Sequence, residues 1–144
     1  MVIRAFEDDD GQAVIALWQA CGLTRAWNDP VRDIARKRMV QRDLFLVGLC
    51  DGVLMASVMA GYDGHRGWVN YLAVHPGWRR QRHGEALMHA VEQRLLILGC
   101  PKLNLQVRSA NTEVLGFYRA LGYLQDDVVS LGKRLVLDAP PNSS

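Results

Sequence analysis

The stretch that decides the fold is "HPGWRRQRHGEALM", residues 75–88. It carries four basic side chains within five positions and no acidic residue from 75 to 84: Arg79, Arg80, Arg82 and His83. Pro76 ends the strand-like segment "GWVNYLAV" just before it, and apolar residues at helical spacing follow it as far as Gly99. The segment is therefore predicted to join a strand to the N-terminus of a long helix.

A strand, a tight loop and a helix N-terminus in this order favour the binding of a compact anion. The first backbone N–H groups of a helix have no partner within it, and the helix dipole adds positive potential at the same point. The basic side chains of residues 79–83 raise that potential further. The pattern predicts a site for a group such as a pyrophosphate, and a solvated run of surface charge is the alternative.

The N-terminal half predicts two helices and four strands. "VIRAF" reads as a short strand, and the acidic run 8–10 then opens a helix that Gly22 closes. The Asp29–Pro30 pair opens the second helix. The predicted apolar stripes are Val14, Leu17, Trp18 and Cys21 in the first helix, and Val31, Ile34, Ala35 and Met39 in the second. Turns at residues 51–52 and 63–64 join three consecutive antiparallel strands.

The C-terminal half adds a strand, a helix and two short strands. "KLNLQV" alternates as a strand, and a helix then runs from Asn111 to Gly122. "YLQDDVVSLGKRLVLD" predicts two final strands, and "APPNSS" a flexible tail at residues 139–144. The prediction is one mixed α/β (α+β) domain over residues 1–138. Its sheet is largely antiparallel, with about six to seven strands and about four helices.

Composition narrows the classes of function. The 144 residues are 49% hydrophobic and 22% charged, with a formal net charge of only +2, which disfavours nucleic-acid binding. We expect no membrane span, because no apolar run approaches about 20 residues. The three cysteines form no C-x-x-C motif, and "MVIRAFEDDD" lacks the order of a signal peptide, so a reduced, cytoplasmic protein is expected. No metal site is predicted.

Two segments resemble the GCN5-related N-acetyltransferases. "LAVHPGWRRQRHGEALM" is similar to motif A of that family, R/Q-x-x-G-x-G/A, with Arg79 in its first position and Gly84 in its last. Arg82 stands where the middle glycine is usual. "NTEVLGFYRALGY" is similar to a second family segment, N-x-x-x-x-x-x-Y-x-x-x-G-F/Y, and the two occur in the family's order. "WNDP", "YDGHRG" and "SLGKRL" further resemble a small bacterial subgroup, the YpeA-like acetyltransferases.

The resemblance implies acetyl-CoA as co-substrate and assigns it a set of residues. The backbone of Leu72, Ala73 and Val74 would pair with the pantetheine arm. The motif A residues would hold the pyrophosphate, mainly through backbone N–H groups: Arg79, Arg80, Gln81, Arg82, His83, Gly84 and Glu85. Asn111 would contact the cofactor arm, and Tyr118 would act as general acid at the sulfur. The alternatives are a simple N-cap for Asn111 and a core aromatic with a satisfied hydroxyl for Tyr118.

The general base is left open by the sequence. Some relatives carry a glutamate on the strand after the long helix, and Gln106 occupies that register here. The remaining candidates are Asp63 and His65 in the hairpin turn, Asp29 at the second helix, and a water held by Asn70 or Tyr71. Asp63 and Asp29 each have a structural alternative, as a turn residue and as an N-cap.

The leading hypothesis is transfer of an acetyl group to a primary amine, directly within a ternary complex. The acceptor would be a small molecule or a peptide, bound near "TRAWNDP" and "GYDGHRG". A non-catalytic acyl-CoA sensor is the alternative, and a nucleic-acid-binding domain is the weaker third. A homodimer is left open.

Overall fold

The computed structural model describes residues 1–138, so the predicted tail at 139–144 lies outside the described residues. Five strands form one sheet in the order β1 to β5: β1 Val2–Ala5, β2 Phe45–Cys50, β3 Val53–Tyr62, β4 Gly67–Val74 and β5 Leu103–Leu105. Four α-helices accompany them: α1 Gly11–Ala20, α2 Pro30–Arg38, α3 His83–Ile97 and α4 Thr112–Ala120. The first four strands are antiparallel, and β5 is parallel to β4 because α3 crosses over between them. The predicted mixed, largely antiparallel class is confirmed.

Local sequence signals account for the turns and for two helix starts. Asp51 and Gly52 both have positive φ, 48° and 78°, which is the geometry that tight hairpins need. The Asp29 side chain accepts a hydrogen bond from the Val31 backbone N–H at 2.9 Å and so caps α2. Asn111 caps α4 in the same way, because its side chain accepts a hydrogen bond from the Val114 backbone N–H at 3.2 Å. These elements follow directly from the residues that predicted them.

Helices α1 and α3 pack on opposite faces of the sheet and divide the core in two. Strand β2 shows the division, because Phe45 and Val47 pack with α1 whereas Leu46 packs with α3. A strand covered on both faces is expected to be apolar throughout, as "FLVGL" is. Trp18 of α1 is fully buried and donates its indole N–H to Ser57 Oγ at 3.0 Å. This arrangement fixes β3 and β4 between two helices.

The predicted apolar stripe of α2 is wrong at three of its four positions, because Val31, Ala35 and Met39 are all exposed. Ile34 is buried, but Val31 is 62% exposed and Met39, which follows the helix, is 85% exposed. Helix α2 packs against α1, and Ile34 is its one buried residue in the core on that side of the sheet, so only a narrow strip of the helix is covered. One apolar residue in this short helix is enough for that contact.

The two final strands are also a wrong prediction. Residues 123–138 form no strand, and the outer edge of β5 has no strand partner within residues 1–138. Alternating residues that should face a core lie in solvent, with Leu124 85%, Val129 85% and Leu131 91% exposed. Alternation fixes a strand's register only when one face is buried, and here neither face is. Side-chain contacts hold the segment instead, including Lys102 Nζ to Asp126 Oδ2 at 2.8 Å.

Over the part of the chain that the structure describes, no helix combines the length and the hydropathy that crossing a bilayer requires.

Candidate active site

The sheet opens between β4 and β5. The two strands pair at only three positions, and the last pair is Val69 with Leu105. Strand β4 continues for five more residues, to Val74, without a partner on that side among residues 1–138. The backbone of residues 72–74, predicted to pair with a pantetheine arm, therefore lies on an open strand edge.

A β-bulge in β4 begins at the same point. Met59 of β3 faces Asn70, and Ser57 faces Ala73, so one extra residue of β4 is accommodated between these pairs. Tyr71, within the bulge, takes the left-handed conformation, with φ of 53°. The extra residue reverses the alternation of side chains, so that Val69 and Leu72 pack with α3, while Tyr71 and Ala73 pack with α1. The bulge thus sets the orientation of the open edge.

The N-terminus of α3 has no side-chain cap. Its N-cap residue is Arg82, whose side chain has only donors, whereas α2 and α4 are capped by Asp29 and Asn111. The first backbone N–H groups of α3, from residues 83–85, are therefore available to an anion. Arg80 and Arg82 both have positive φ, 65° and 61°, which curls the loop before the helix. This geometry suits an anion, and the pyrophosphate site itself stays a prediction.

Side chains of the loop divide between solvent and the sheet. Arg79, Arg80, Gln81 and Arg82 are all exposed. Arg79 Nε donates to the Val74 carbonyl oxygen at 3.3 Å and ties the loop to the end of β4. His83 Nε2 is buried and has no hydrogen-bond partner within residues 1–138. The predicted loop residues are thus brought together around the start of α3.

Gly84, the second residue of α3, is a packing glycine. A Cβ built there would lie 3.2 Å from Phe117 Cζ and 3.4 Å from Phe117 Cε1, closer than most such contacts. The absence of a side chain therefore lets α3 approach α4. A side chain at position 84 would therefore meet the Phe117 ring.

Helix α4 presents Tyr118 with an unpartnered hydroxyl. The residue is 8% exposed, and its hydroxyl makes no hydrogen bond within residues 1–138. Its ring contacts Phe117 and Tyr123 edge-on, with centroids 5.0 and 5.7 Å away. Burial raises the pKa of Tyr118 to about 12, so the hydroxyl keeps its proton at neutral pH. The Tyr118 ring is part of the core, as the structural alternative requires, but no group within residues 1–138 bonds to its hydroxyl. Asn111 does act as the N-cap of α4, as its own alternative requires.

A cleft of about 860 Å³ lies beside Tyr118. Its lining includes Asn70 at the bulge of β4 and Gln106 just after β5. Residues 123–130 form part of its outer wall, where Gln106 Nε2 donates to Ser130 Oγ. The cleft therefore joins the open edge of the sheet to the tyrosine.

The candidates for a general base are mostly engaged in structural roles. Asp63 accepts the Arg66 and His65 backbone N–H groups at 2.7 and 2.8 Å, and these bonds lower the pKa of its carboxyl group. Asp29 is the N-cap of α2. Tyr71 donates its hydroxyl to Asp33 Oδ2 at 2.7 Å. His65 is exposed in the turn and is not among the residues that line the cleft, whereas Asn70 is.

Sequence reasoning missed two carboxylates near this site. Asp33 of α2 accepts the Tyr71 hydroxyl, and Glu92 of α3 accepts the Tyr123 hydroxyl at 2.5 Å. The partners are 38 and 31 residues apart in the chain, so no spacing rule indicates either pair.

Comparison with known proteins identifies the family. Two solved structures share the fold. Ard1 from Thermoplasma volcanium has a TM-score of 0.77 and 24% identity, over 85% of this chain and 82% of that one. AAC(6')-Iy in complex with the bisubstrate analogue CoA-S-monomethyl-acetylneamine has a TM-score of 0.73 and 19% identity, over 92% of this chain and 97% of that one. An acetyltransferase of Yersinia pestis (strain Pestoides F) is 49% identical over 138 residues, which cover 96% of this chain and 98% of the relative. The model of the acetyltransferase (GNAT) family matches residues 5–123. The chain belongs to this family and is an acetyltransferase enzyme, as its motifs predicted.

Arg82→Gly is expected to raise the free energy of unfolding by about 1 kcal/mol. Left-handed φ strains a residue with a Cβ by about 1–3 kcal/mol, which exceeds the extra conformational entropy of glycine, about 0.5–1 kcal/mol. Urea unfolding of both proteins measures the difference. The matched control is Ala86→Gly, at an exposed position inside α3, which is expected to cost about 1 kcal/mol. An equal decrease in the free energy of unfolding of both variants would show that residue 82 does not need positive φ.

Proposed function

We propose that this protein moves the acetyl group of acetyl-CoA to a primary amine, by direct transfer within a ternary complex. The observation that carries the proposal is the open edge of β4, which leads from the uncapped start of α3 to the cleft at Tyr118. An elongated ligand with an anionic end and a reactive end fits such a path. Acetyl-CoA has this form, with a pyrophosphate at one end of its pantetheine arm and a thioester at the other.

The loop and α3 hold the pyrophosphate in this proposal. Backbone N–H groups of residues 80–85 donate to the phosphate oxygens, and the helix dipole favours their charge. The exposed arginines of the loop contribute less, because solvent screens them. Arg79 acts differently, since its bond to the Val74 carbonyl fixes the loop against the strand.

The arm of the cofactor lies along β4. Backbone groups of Leu72, Ala73 and Val74 offer hydrogen bonds to its amides, in the manner of an added strand. Asn111 uses one side-chain oxygen to cap α4, which leaves its amide N–H₂ free to donate to the arm. The thioester then lies in the cleft beside Tyr118.

Tyr118 is the general acid of the transfer step. The amine nitrogen attacks the thioester carbonyl, negative charge forms on the carbonyl oxygen, and the C–S bond then breaks. The Tyr118 hydroxyl donates its proton to the departing sulfur. Burial makes the Tyr118 hydroxyl a weaker acid, so its proton moves to the sulfur only as the C–S bond breaks and negative charge forms there. Solvent then restores the proton to Tyr118.

The proton of the amine leaves through water. Gln106 cannot take a proton, and the carboxylates of Asp29 and Asp63 are engaged by backbone N–H groups. His65 lies exposed in the hairpin turn and does not line the cleft. The candidate acceptor within the cleft is a water held by Asn70. The bisubstrate analogue bound by AAC(6')-Iy joins CoA to an acetylated amine, which supports both an amine acceptor and direct transfer.

A screen for thiol release from acetyl-CoA over small-molecule and peptide amines tests the proposal. We expect release that depends on the amine, and double-reciprocal plots that intersect when both substrates are varied. Parallel plots, or an acetylated enzyme formed without amine, would contradict direct transfer. Tight binding of acetyl-CoA without release for any amine would instead favour the sensor.

A further inference from the structure

Tyr71 is held in a strained conformation at the point where β4 leaves β5. Its φ of 53° is one that residues with a side chain seldom adopt, and no glycine relieves it. The pairing of β4 with β5 ends two residues earlier, at Val69. A conformation of this kind persists only where the surroundings impose it.

Two contacts restrain the Tyr71 side chain. Its ring stacks on the Trp18 ring, with centroids 4.0 Å apart and planes 9° apart. Its hydroxyl donates to Asp33 Oδ2 at 2.7 Å, and Asp33 Oδ1 accepts from Arg36 Nη1 at 3.3 Å. The stack fixes the plane of the ring, and the hydrogen bond fixes its position within that plane.

We propose that Asp33 is a positioning residue. By accepting a hydrogen bond from the Tyr71 hydroxyl, it holds the bulge of β4 in place and couples helix α2 to the open edge of β4. The inference rests on the proposed function, since this edge matters only if CoA binds along it. Burial and the bond to Asp33 both raise the pKa of Tyr71, which keeps its hydroxyl a donor.

Loss of this bond acts on the open edge through the bulge. The reversal of side-chain alternation at residues 70–71 places Leu72 towards α3 and Ala73 towards α1. A bulge that relaxes towards a regular strand shifts that alternation by one residue. The backbone of residues 72–74 then no longer presents its hydrogen-bonding groups correctly to the cofactor.

Titration calorimetry of CoA with four single variants, and with Tyr71→Phe and Asp33→Ala combined, tests the proposal. Tyr71→Phe keeps the ring on Trp18 and removes the hydroxyl, Asp33→Ala removes the acceptor, and Asp33→Asn keeps an acceptor oxygen. The control is Asp8→Ala, which removes a carboxylate paired with Arg38 and Arg42, away from the cleft.

We expect Tyr71→Phe and Asp33→Ala each to weaken CoA binding by about 3- to 10-fold, the range of one lost hydrogen bond. The double variant should bind CoA no more weakly than either single variant, because both substitutions remove the same hydrogen bond. Asp33→Asn and Asp8→Ala should bind within about 2-fold of wild type, since neither removes that hydrogen bond.

Two results would overturn this inference and leave the proposed function intact. One is wild-type CoA affinity in Tyr71→Phe and Asp33→Ala, even if their melting temperatures fall. The other is a loss in Asp33→Asn equal to that in Asp33→Ala, because the charge and not the hydrogen bond would then be needed. Failure of the wild-type protein to bind CoA would overturn the proposed function, and this inference with it.

Discussion

Tyr118→Phe is expected to lower kcat by roughly 10- to 1000-fold, with little change in the KM for acetyl-CoA. The variant keeps the ring and its contacts with Phe117 and Tyr123 but has no proton for the departing sulfur. The sulfur takes a proton only as it leaves, so the loss belongs to the transition state and not to ground-state binding. Steady-state kinetics with a saturating amine acceptor measures the effect.

Stability provides an independent test of the same variant. The Tyr118 hydroxyl has no partner within residues 1–138, so its removal should leave the melting temperature unchanged or higher. The matched control is Tyr123→Phe, whose hydroxyl donates to Glu92 and whose removal should lower the melting temperature. A lower melting temperature for Tyr118→Phe, with turnover per folded molecule preserved, would show a structural tyrosine.

Gly84→Glu is expected to weaken CoA binding by about 100-fold or more. Two effects combine there, because a side chain displaces the Phe117 ring and a carboxylate adds negative charge beside the pyrophosphate site. Calorimetric titration with CoA, after circular dichroism has confirmed folding, measures the loss.

Gly84→Gln separates the two effects, since glutamine has nearly the shape of glutamate without its charge. We expect the Glu variant to bind CoA at least about 10-fold more weakly than the Gln variant. Its carboxylate would repel the pyrophosphate, and like charges a few ångströms apart near a protein surface repel strongly enough for that difference. Their stabilities should be similar, because a carboxylate near a helix N-terminus does not harm the helix. Equal CoA affinity in the two variants would show that Gly84 serves only the packing of α3 on α4.

The fold was predictable wherever a local signal has one physical meaning. Asp51–Gly52 predicted a hairpin turn, and Asp29 and Asn111 predicted helix starts, because each interaction joins residues close in sequence. The bulge at Tyr71 was not predictable, since no glycine marks it and its restraints come from Trp18 and Asp33. The final strands were predicted from alternation alone, and alternation without a buried face does not make a strand.

The candidate site was predictable from its motifs more than from its chemistry. The basic loop before α3 and the tyrosine of α4 come from segments similar to a known family. Whether Arg82 adopts positive φ depends on the path of the whole loop, which the sequence does not specify. The roles of Asp33 and Glu92 depend on contacts between elements far apart in the chain. Cytoplasmic location and a homodimer stay predictions.

Calorimetric titration of the wild-type protein with acetyl-CoA tests the central claim most directly. The account predicts saturable binding of one acetyl-CoA per chain, with free CoA nearly as tight because most contacts are to the shared arm and pyrophosphate. At 100 times the dissociation constant, the ligand should stabilise the fold by about 2.7 kcal/mol. The absence of binding at millimolar acetyl-CoA would contradict the account, because the open edge of β4 and the uncapped start of α3 would then not form a cofactor site.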